Sequence, residues 1–267
     1  ELFQLEEENL TPLKVSGVPP DAFSEDGQLW GNPLYDWEKM EQTDFAWWRS
    51  RMKASAKLYD AVRIDHFIGV VQYYAIPYGA VTAKDGEWEK GPGKKLTDAL
   101  DEAAGETKII AEDLGVFCQE VKDLLAETGY PGMKIIEFAF SGDRFNEHLP
   151  HCYDPNSVVY GGTHDNETLA GYFKPEKRQW WELQYIADYR GAAHQSEVVD
   201  RVFRAAYGSV ASVAIFQMQD VLKLDNWARM NTPGTLGENW RWRLVPGQFT
   251  DERADYLSWL VDTFGRF

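Results

Sequence analysis

The strongest constraint in this chain is a recurring rhythm. Short β-branched runs end in polar or charged residues, and the stretches between them are long enough for a crossover helix. Runs at 61–65, 108–112, 133–138, 157–161 and 212–218 read as five strands. Helices are expected around them at 44–59, 96–104, 116–127, 175–189, 197–207 and 251–264. In the third of these, 116–127, Val116, Val121, Leu124 and Leu125 share an apolar face, and Gly129 and Pro131 stop the helix. This is the order of parallel β/α units, and no internal repeat or linker divides it. No glycine-rich phosphate fingerprint follows any strand, so a closed (β/α)8 barrel is favoured over an open doubly wound sheet.

In such a barrel the chemistry sits where strands end, and polar clusters stand at those ends here. Arg63-Ile64-Asp65-His66 closes the first run, Glu112-Asp113 the second, Thr163-His164-Asp165-Asn166 follows the fourth, and Gln219-Asp220 closes the fifth. Asp65, Glu112 and Asp165 attract attention because glycoside cleavage needs two carboxyl groups flanking one bond, one to protonate the leaving oxygen and one to meet positive charge at the anomeric carbon. Each also has a simpler reading. Asp65 can pair with Arg63 on the same strand face, Glu112 can favour a helix N-terminus, and Asp165 can cap a following helix.

Composition narrows the ligand. A net charge of −16 repels phosphate backbones and anionic lipid, which argues against nucleic acid and membrane surfaces, and a solvated acidic surface accounts for it. Apolar runs such as 209–218 are too short for a membrane span. Eleven Trp in a 14% aromatic chain offer ring faces on which sugars stack. Cys118 and Cys152 are too few for a disulfide scaffold, and neither they nor the acidic clusters have metal-ligand spacing, so no metal or cofactor is expected. The first eight residues show neither an initiator Met nor a secretion signal, which reads as a fragment and, through the cysteines, as a cytoplasmic protein.

Arg63-Ile64-Asp65-His66-Phe67, Ala111-Glu112-Asp113-Leu114-Gly115 and Gly162-Thr163-His164-Asp165-Asn166 together resemble the three active-site motifs of the amylomaltases, the 4-α-glucanotransferases or disproportionating enzymes of glycoside hydrolase family 77. The likeness extends upstream to 17–24 and 27–33, similar to the family's acceptor-side loop, and downstream to Asn231-Thr232-Pro233-Gly234-Thr235 and Asn239-Trp240-Arg241-Trp242-Arg243. It covers nearly the whole chain in one order. Ala22 departs from it, standing where many relatives carry an aromatic residue.

The resemblance implies Asp65 as nucleophile, Glu112 as general acid and base, and Asp165 as transition-state stabiliser in a retaining double displacement on α-1,4-glucans and maltooligosaccharides of the starch and glycogen type. Arg63 would keep Asp65 ionised and oriented. His66 and His164 would bind sugar hydroxyls or wall the pocket. Trp30 and Phe23 would help an acceptor sugar outcompete water, with Gln28, Asn32, Asp21 and Asp113 on its hydroxyls, although Asp21 and Asn32 also read as turn formers. Asn239 and Trp240 would line the groove. His148, His151 and His194 read as surface or structural.

It also implies that the five strands are the fourth to eighth of the barrel, so that residues 1–267 form the C-terminal part of one catalytic domain, with 17–37 as its acceptor-side loop. The first three strands would come from the remainder of the enzyme. A hydrolase of the α-amylase type, using water as acceptor, and a non-catalytic glucan-binding fragment are the competing readings.

Overall fold

The computed structural model describes residues 2–20, 24–115, 118–191 and 194–267. The chain divides into two compact units, Glu1–Gly132 and Met133–Phe267, each with its own core. Nine strands are described: β1 (Lys14–Val18), β2 (Gln28–Pro33), β3 (Ala61–Ile64), β4 (Gln72–Pro77), β5 (Glu87–Lys90), β6 (Lys108–Ala111), β7 (Gly132–Ile135), β8 (Ser157–Tyr160) and β9 (Val213–Ile215). The five expected strands are β3, β6, β7, β8 and β9.

In the first unit β3 and β6 pair in parallel, Ala61 opposite Lys108 through Ile64 opposite Ala111. Helices Ala46–Ala56, Lys94–Ala104 and Gln119–Thr128 close one core over them. Leu96, Ala99, Leu100 and Ala103 recur at the spacing of one helix face and are buried with Phe67, Ile109, Val121 and Leu124. Gly129 ends the third helix in the left-handed conformation, as expected from its position, its N–H bonded to the Leu125 carbonyl. Val116 lies outside the described residues.

An antiparallel sheet of order β2-β1-β4-β5 was not anticipated. Val15, Tyr74, Ile76 and Ala83 form its small core. Gly17 makes the sheet possible, because a Cβ there would lie 2.2 Å from the Gln28 carbonyl oxygen and 2.4 Å from Ile76 Cδ1. Two stretches expected in the acceptor-side loop, 17–18 and 28–33, are therefore strand.

The second unit holds a sheet of order β7-β8-β9, with β8 and β9 parallel from Val158 opposite Val213 to Tyr160 opposite Ile215. Helix Val198–Tyr207 buries Val199, Val202, Phe203 and Ala206 in the core with Val159 and Leu260, and Phe203 stacks on Phe216 at 3.9 Å. The helix expected at 175–189 is broken: Arg178 and Gln179 are extended, and Gln179 caps a new helix, Trp180–Arg190, in a capping box with Glu182.

The expected end of the fifth strand needs correcting. The fifth run is strand only over Val213–Ile215, and helix Met218–Val221 follows, so Gln219 and Asp220 are buried rather than presented at a strand end. Asp220 accepts the Leu169 N–H at 2.7 Å, and Gln219 donates to the Ala228 carbonyl. Part of the Trp content also serves packing. Tyr35, Trp37, Trp47 and Trp48 pack against one another at ring separations of 5.1–6.1 Å, so part of the aromatic excess is core.

Candidate active site

Asp65 and Glu112 are brought together by register. Because Ile64 faces Ala111 across a parallel pair, the next residue on each strand leaves the sheet at the same level. The ladder continues past the strand ends, with Glu112 N–H donating to the Ile64 carbonyl and Phe67 N–H to the Glu112 carbonyl, both at 2.9 Å. Neither carboxylate starts a helix. Helix Gln119–Thr128 begins seven residues after Glu112, and Phe67 precedes helix Ile68–Val71 without a side-chain cap.

The two carboxyl groups meet different surroundings. Asp65 has a side chain 74% exposed and an ion pair to Arg63 Nη2 at 2.7 Å, so the pairing foreseen along the strand is present. Glu112 is drawn inward and held by backbone: its Oε2 accepts the His66 N–H at 2.6 Å and its Oε1 the Leu114 N–H at 3.0 Å. His66 adopts a left-handed φ of 49° at this point. Burial pushes the Glu112 pKa up to about 7, against the two N–H donors that lower it, with the negative charge of Asp65 adding to the rise. A carboxyl that titrates there can give and take a proton near neutrality.

Trp30 stands edge-on to the His66 ring at 4.9 Å and donates its indole N–H to Gln28 Oε1 at 3.1 Å. Gln28, Trp30 and Asn32 alternate along β2 and are all exposed. Burial lowers the His66 pKa, which favours the neutral ring. Asp113 packs against Gly132, where a Cβ would come within 2.4 Å of its carboxylate. Asp21 and Phe23 lie outside the described residues.

In the second unit Asp165 follows β8 on a polar turn. Thr163 donates through N–H and Oγ1 to Asn166 Oδ1, each at 2.8 Å, and Thr163 Oγ1 receives the Asp165 N–H at 3.3 Å. Thr168, not Asp165, caps helix Leu169–Tyr172. Asn231 Nδ2 donates to Asp165 Oδ1 at 2.5 Å, His164 Nε2 lies 3.3 Å from Oδ2, and Arg229 donates to the Asp165 carbonyl. The His164 ring packs on Trp240 at 5.0 Å. Asn239 ties its own loop together, accepting the Thr232 N–H at 2.9 Å and donating to the Thr235 carbonyl at 3.0 Å.

Sequence reasoning singled out the Asn231 motif without giving Asn231 a task, and it missed Arg229 two residues earlier. Their contact with Asp165 spans more than sixty residues and left no local signal. His148 is structural, as expected: its Nδ1 accepts the Ile135 N–H at 3.1 Å, and burial lowers its pKa to about 4. Among the described residues no cluster of His, Cys, Asp or Glu is arranged to hold a metal ion, and no helix is long and apolar enough to cross a membrane.

Carboxyl groups carried to the carboxyl ends of parallel strands define the class, a (β/α)8 glycosidase-type fold, of which this chain holds a part without a closed barrel among the described residues. Residues 1–248 match the family model of the 4-alpha-glucanotransferases, glycoside hydrolase family 77, and the chain belongs to that family. It is 48% identical over 266 residues to a 4-alpha-glucanotransferase of Clostridium butyricum, covering 100% of this chain and 54% of that protein. A 4-alpha-glucanotransferase of Thermus thermophilus is 42% identical over 272 residues, with the same two shares covered. The solved amylomaltase from Streptococcus agalactiae in complex with acarbose superposes with a TM-score of 0.93 at 39% identity, over 99% of this chain and 53% of that one. The chain thus spans about half the length of the relatives it matches.

Proposed function

We propose that this chain carries the reacting groups of a 4-α-glucanotransferase, which moves segments of an α-1,4-glucan from a donor to the 4-hydroxyl of an acceptor glucan or glucose. The observation that carries the reading is the contrast at the β3 and β6 ends: an exposed, arginine-paired Asp65 beside a half-buried Glu112 whose pKa is pushed up to about 7. A retaining double displacement needs one carboxylate that stays ionised and one carboxyl that cycles its proton.

In the first step the Asp65 carboxylate attacks the anomeric carbon as the glycosidic C–O bond breaks, and protonated Glu112 gives its proton to the departing oxygen. The products are a glucosyl ester on Asp65 and a released chain end. In the second step ionised Glu112 takes the proton of the acceptor 4-hydroxyl, whose oxygen displaces Asp65, and two inversions give net retention. Asp165 is assigned to the positive charge that develops at the ring in both transition states. Arg63, ion-paired to Asp65 at 2.7 Å, orients its carboxylate.

Trp30 offers a ring face to an acceptor glucose, and Gln28 and Asn32 share its strand face, with His66, His164, Asp21, Phe23, Asp113 and Asn239 assigned to sugar contacts. Of these, Asn239 has the least to support it, since its side chain is already engaged within its loop. The barrel strands that complete the groove are taken to come from the remainder of the enzyme. The half-buried Val62 and Ile64 of β3 and the exposed Val213 and Ile215 of β9, 42% and 38% accessible, support this, because strands inside a parallel sheet are normally covered on both faces. The free thiols of Cys118 and Cys152 fit a cytoplasmic, reducing location.

Incubating the complete protein with maltotriose tests the proposal. Transfer yields glucose together with maltopentaose and longer chains. Maltose and glucose without longer products would replace it with a hydrolase, and binding without turnover would replace it with a glucan-binding protein.

A further inference from the structure

The second unit buries two carboxyl groups for which the reaction just described has no task. Glu137 lies in the single turn Ile136–Phe138 that follows β7, two residues beyond the strand end, whereas Asp65 and Glu112 directly follow β3 and β6. It is 2% exposed, and Asp220 is fully buried. Glu137 Oε1 and Asp220 Oδ2 are both inaccessible and without a hydrogen-bond partner. Two ionised carboxylates in that state would leave uncompensated charge out of water, an arrangement that proteins avoid by keeping a proton.

Both acids touch the segment that carries Asp165. Glu137 N–H donates to the Gly161 carbonyl at 3.2 Å, and Gly162 lies so near that a Cβ there would stand 2.9 Å from Glu137 Oε1. Asn166, which accepts both hydrogen bonds from Thr163, also bonds the Glu137 carboxyl. At the far end Asp220 Oδ1 receives the Leu169 N–H, while Asn226 Oδ1 receives the Thr168 N–H at 3.0 Å. Residues 161–169 are thereby fastened at both ends and at Asn166, and Asp165 is the exposed member between.

We propose that Glu137 is a positioning residue for Asp165: its carboxyl group, buried with that of Asp220 against residues 161–169, sets the turn and acts there as a neutral, proton-bearing group. The charged groups around it agree with this. Burial raises its pKa most, followed by the negative charges of Asp220 and Glu167, while the Asn166 hydrogen bond and the Arg229 charge oppose the rise. The Tyr172 hydroxyl bonds the Glu137 carbonyl, not the carboxyl.

The inference rests on Asp165 serving the transition state. Glu137→Gln keeps shape and neutrality and should hold kcat within about threefold of the parent enzyme, whereas Glu137→Leu should lose about 10²-fold in kcat with KM little changed, as expected for a misplaced reacting group. Infrared spectra at neutral pH should contain a protonated-carboxyl band that Glu137→Gln removes. That readout does not depend on which reaction the enzyme performs, so it separates failure of this inference from failure of the transferase reading.

A folded Glu137→Leu enzyme with the parent kcat would overturn the positioning role. Loss of about 10²-fold in Glu137→Gln, or an unchanged carboxyl band, would overturn the neutral state. If Glu137→Leu does not fold, Glu137→Gln decides alone by the same two readouts.

Discussion

Glu112 and Asp165 both follow parallel strands, yet they are held in opposite ways. Glu112 is gripped by backbone N–H groups of its own neighbourhood, from His66 and Leu114, and its environment shifts its pKa to about 7. Asp165 is half-exposed and gripped mainly by side chains: its neighbour His164 on Oδ2 and, from far along the chain, Asn231 on Oδ1 and Arg229 on its carbonyl. The difference follows the tasks proposed for them. A group that must exchange a proton needs a tuned environment, whereas a group that must stay charged needs only donors and a fixed place.

The largest effect should come from removing the tuned proton. Glu112→Gln should lower kcat for transfer by about 10²–10⁴-fold, and steady-state kinetics on maltotriose would measure it. The parent enzyme should lose activity as the pH rises through about 7, because deprotonated Glu112 cannot protonate the leaving oxygen. That basic limb should vanish in Glu112→Gln. A limb that persists unchanged would assign the proton to another group and erase the contrast.

Loosening Asp165 should matter less. Asn231→Ala removes one donor while His164 and Arg229 remain, so kcat should fall by about tenfold, near the worth of one hydrogen bond to a charged group. An effect as large as that of Glu112→Gln would mean that Asn231 does more than orient a carboxylate.

The smallest effect is on stability. Burial raises the Asp220 pKa from 3.8 to about 7, so the folded state keeps a proton that the unfolded chain releases. The stabilisation from this group is complete below pH 3.8 and is lost as the pH rises to about 7. Chemical denaturation across that range should show Asp220→Asn with a flatter pH dependence than the parent, by a few kcal/mol at most, roughly 1.4 per pKa unit.

The parallel strands were legible because each is a β-branched run closed by a polar cluster, and helix Asp251–Phe264 coincides with its apolar periodicity. The β2-β1-β4-β5 sheet was not, because Gly17, Gly31 and Pro33 punctuate its strands like turns. Only the distant Ile76 side chain and Gln28 carbonyl explain Gly17. At the site, the catalytic candidates were readable from strand ends and motifs. Their tuning was not, since it depends on a left-handed His66 and on a donor from Asn231 that sequence distance conceals. Asp220 was misread for a related reason: Val213–Ile215 is shorter than its apolar run, and the next turn is helical.

The central claim is that Asp65 and Glu112 divide the work, one forming the bond to sugar and the other moving the proton. The most direct test is to trap the intermediate with a fluorinated, activated glucoside and locate the label by peptide mass spectrometry. A single glucosyl group on the peptide bearing Asp65, formed before acceptor is added and discharged by it, is the result expected. Label on Glu112 or Asp165, or turnover of the reagent with no label on Asp65 under conditions that trap the intermediate, would contradict the assignment.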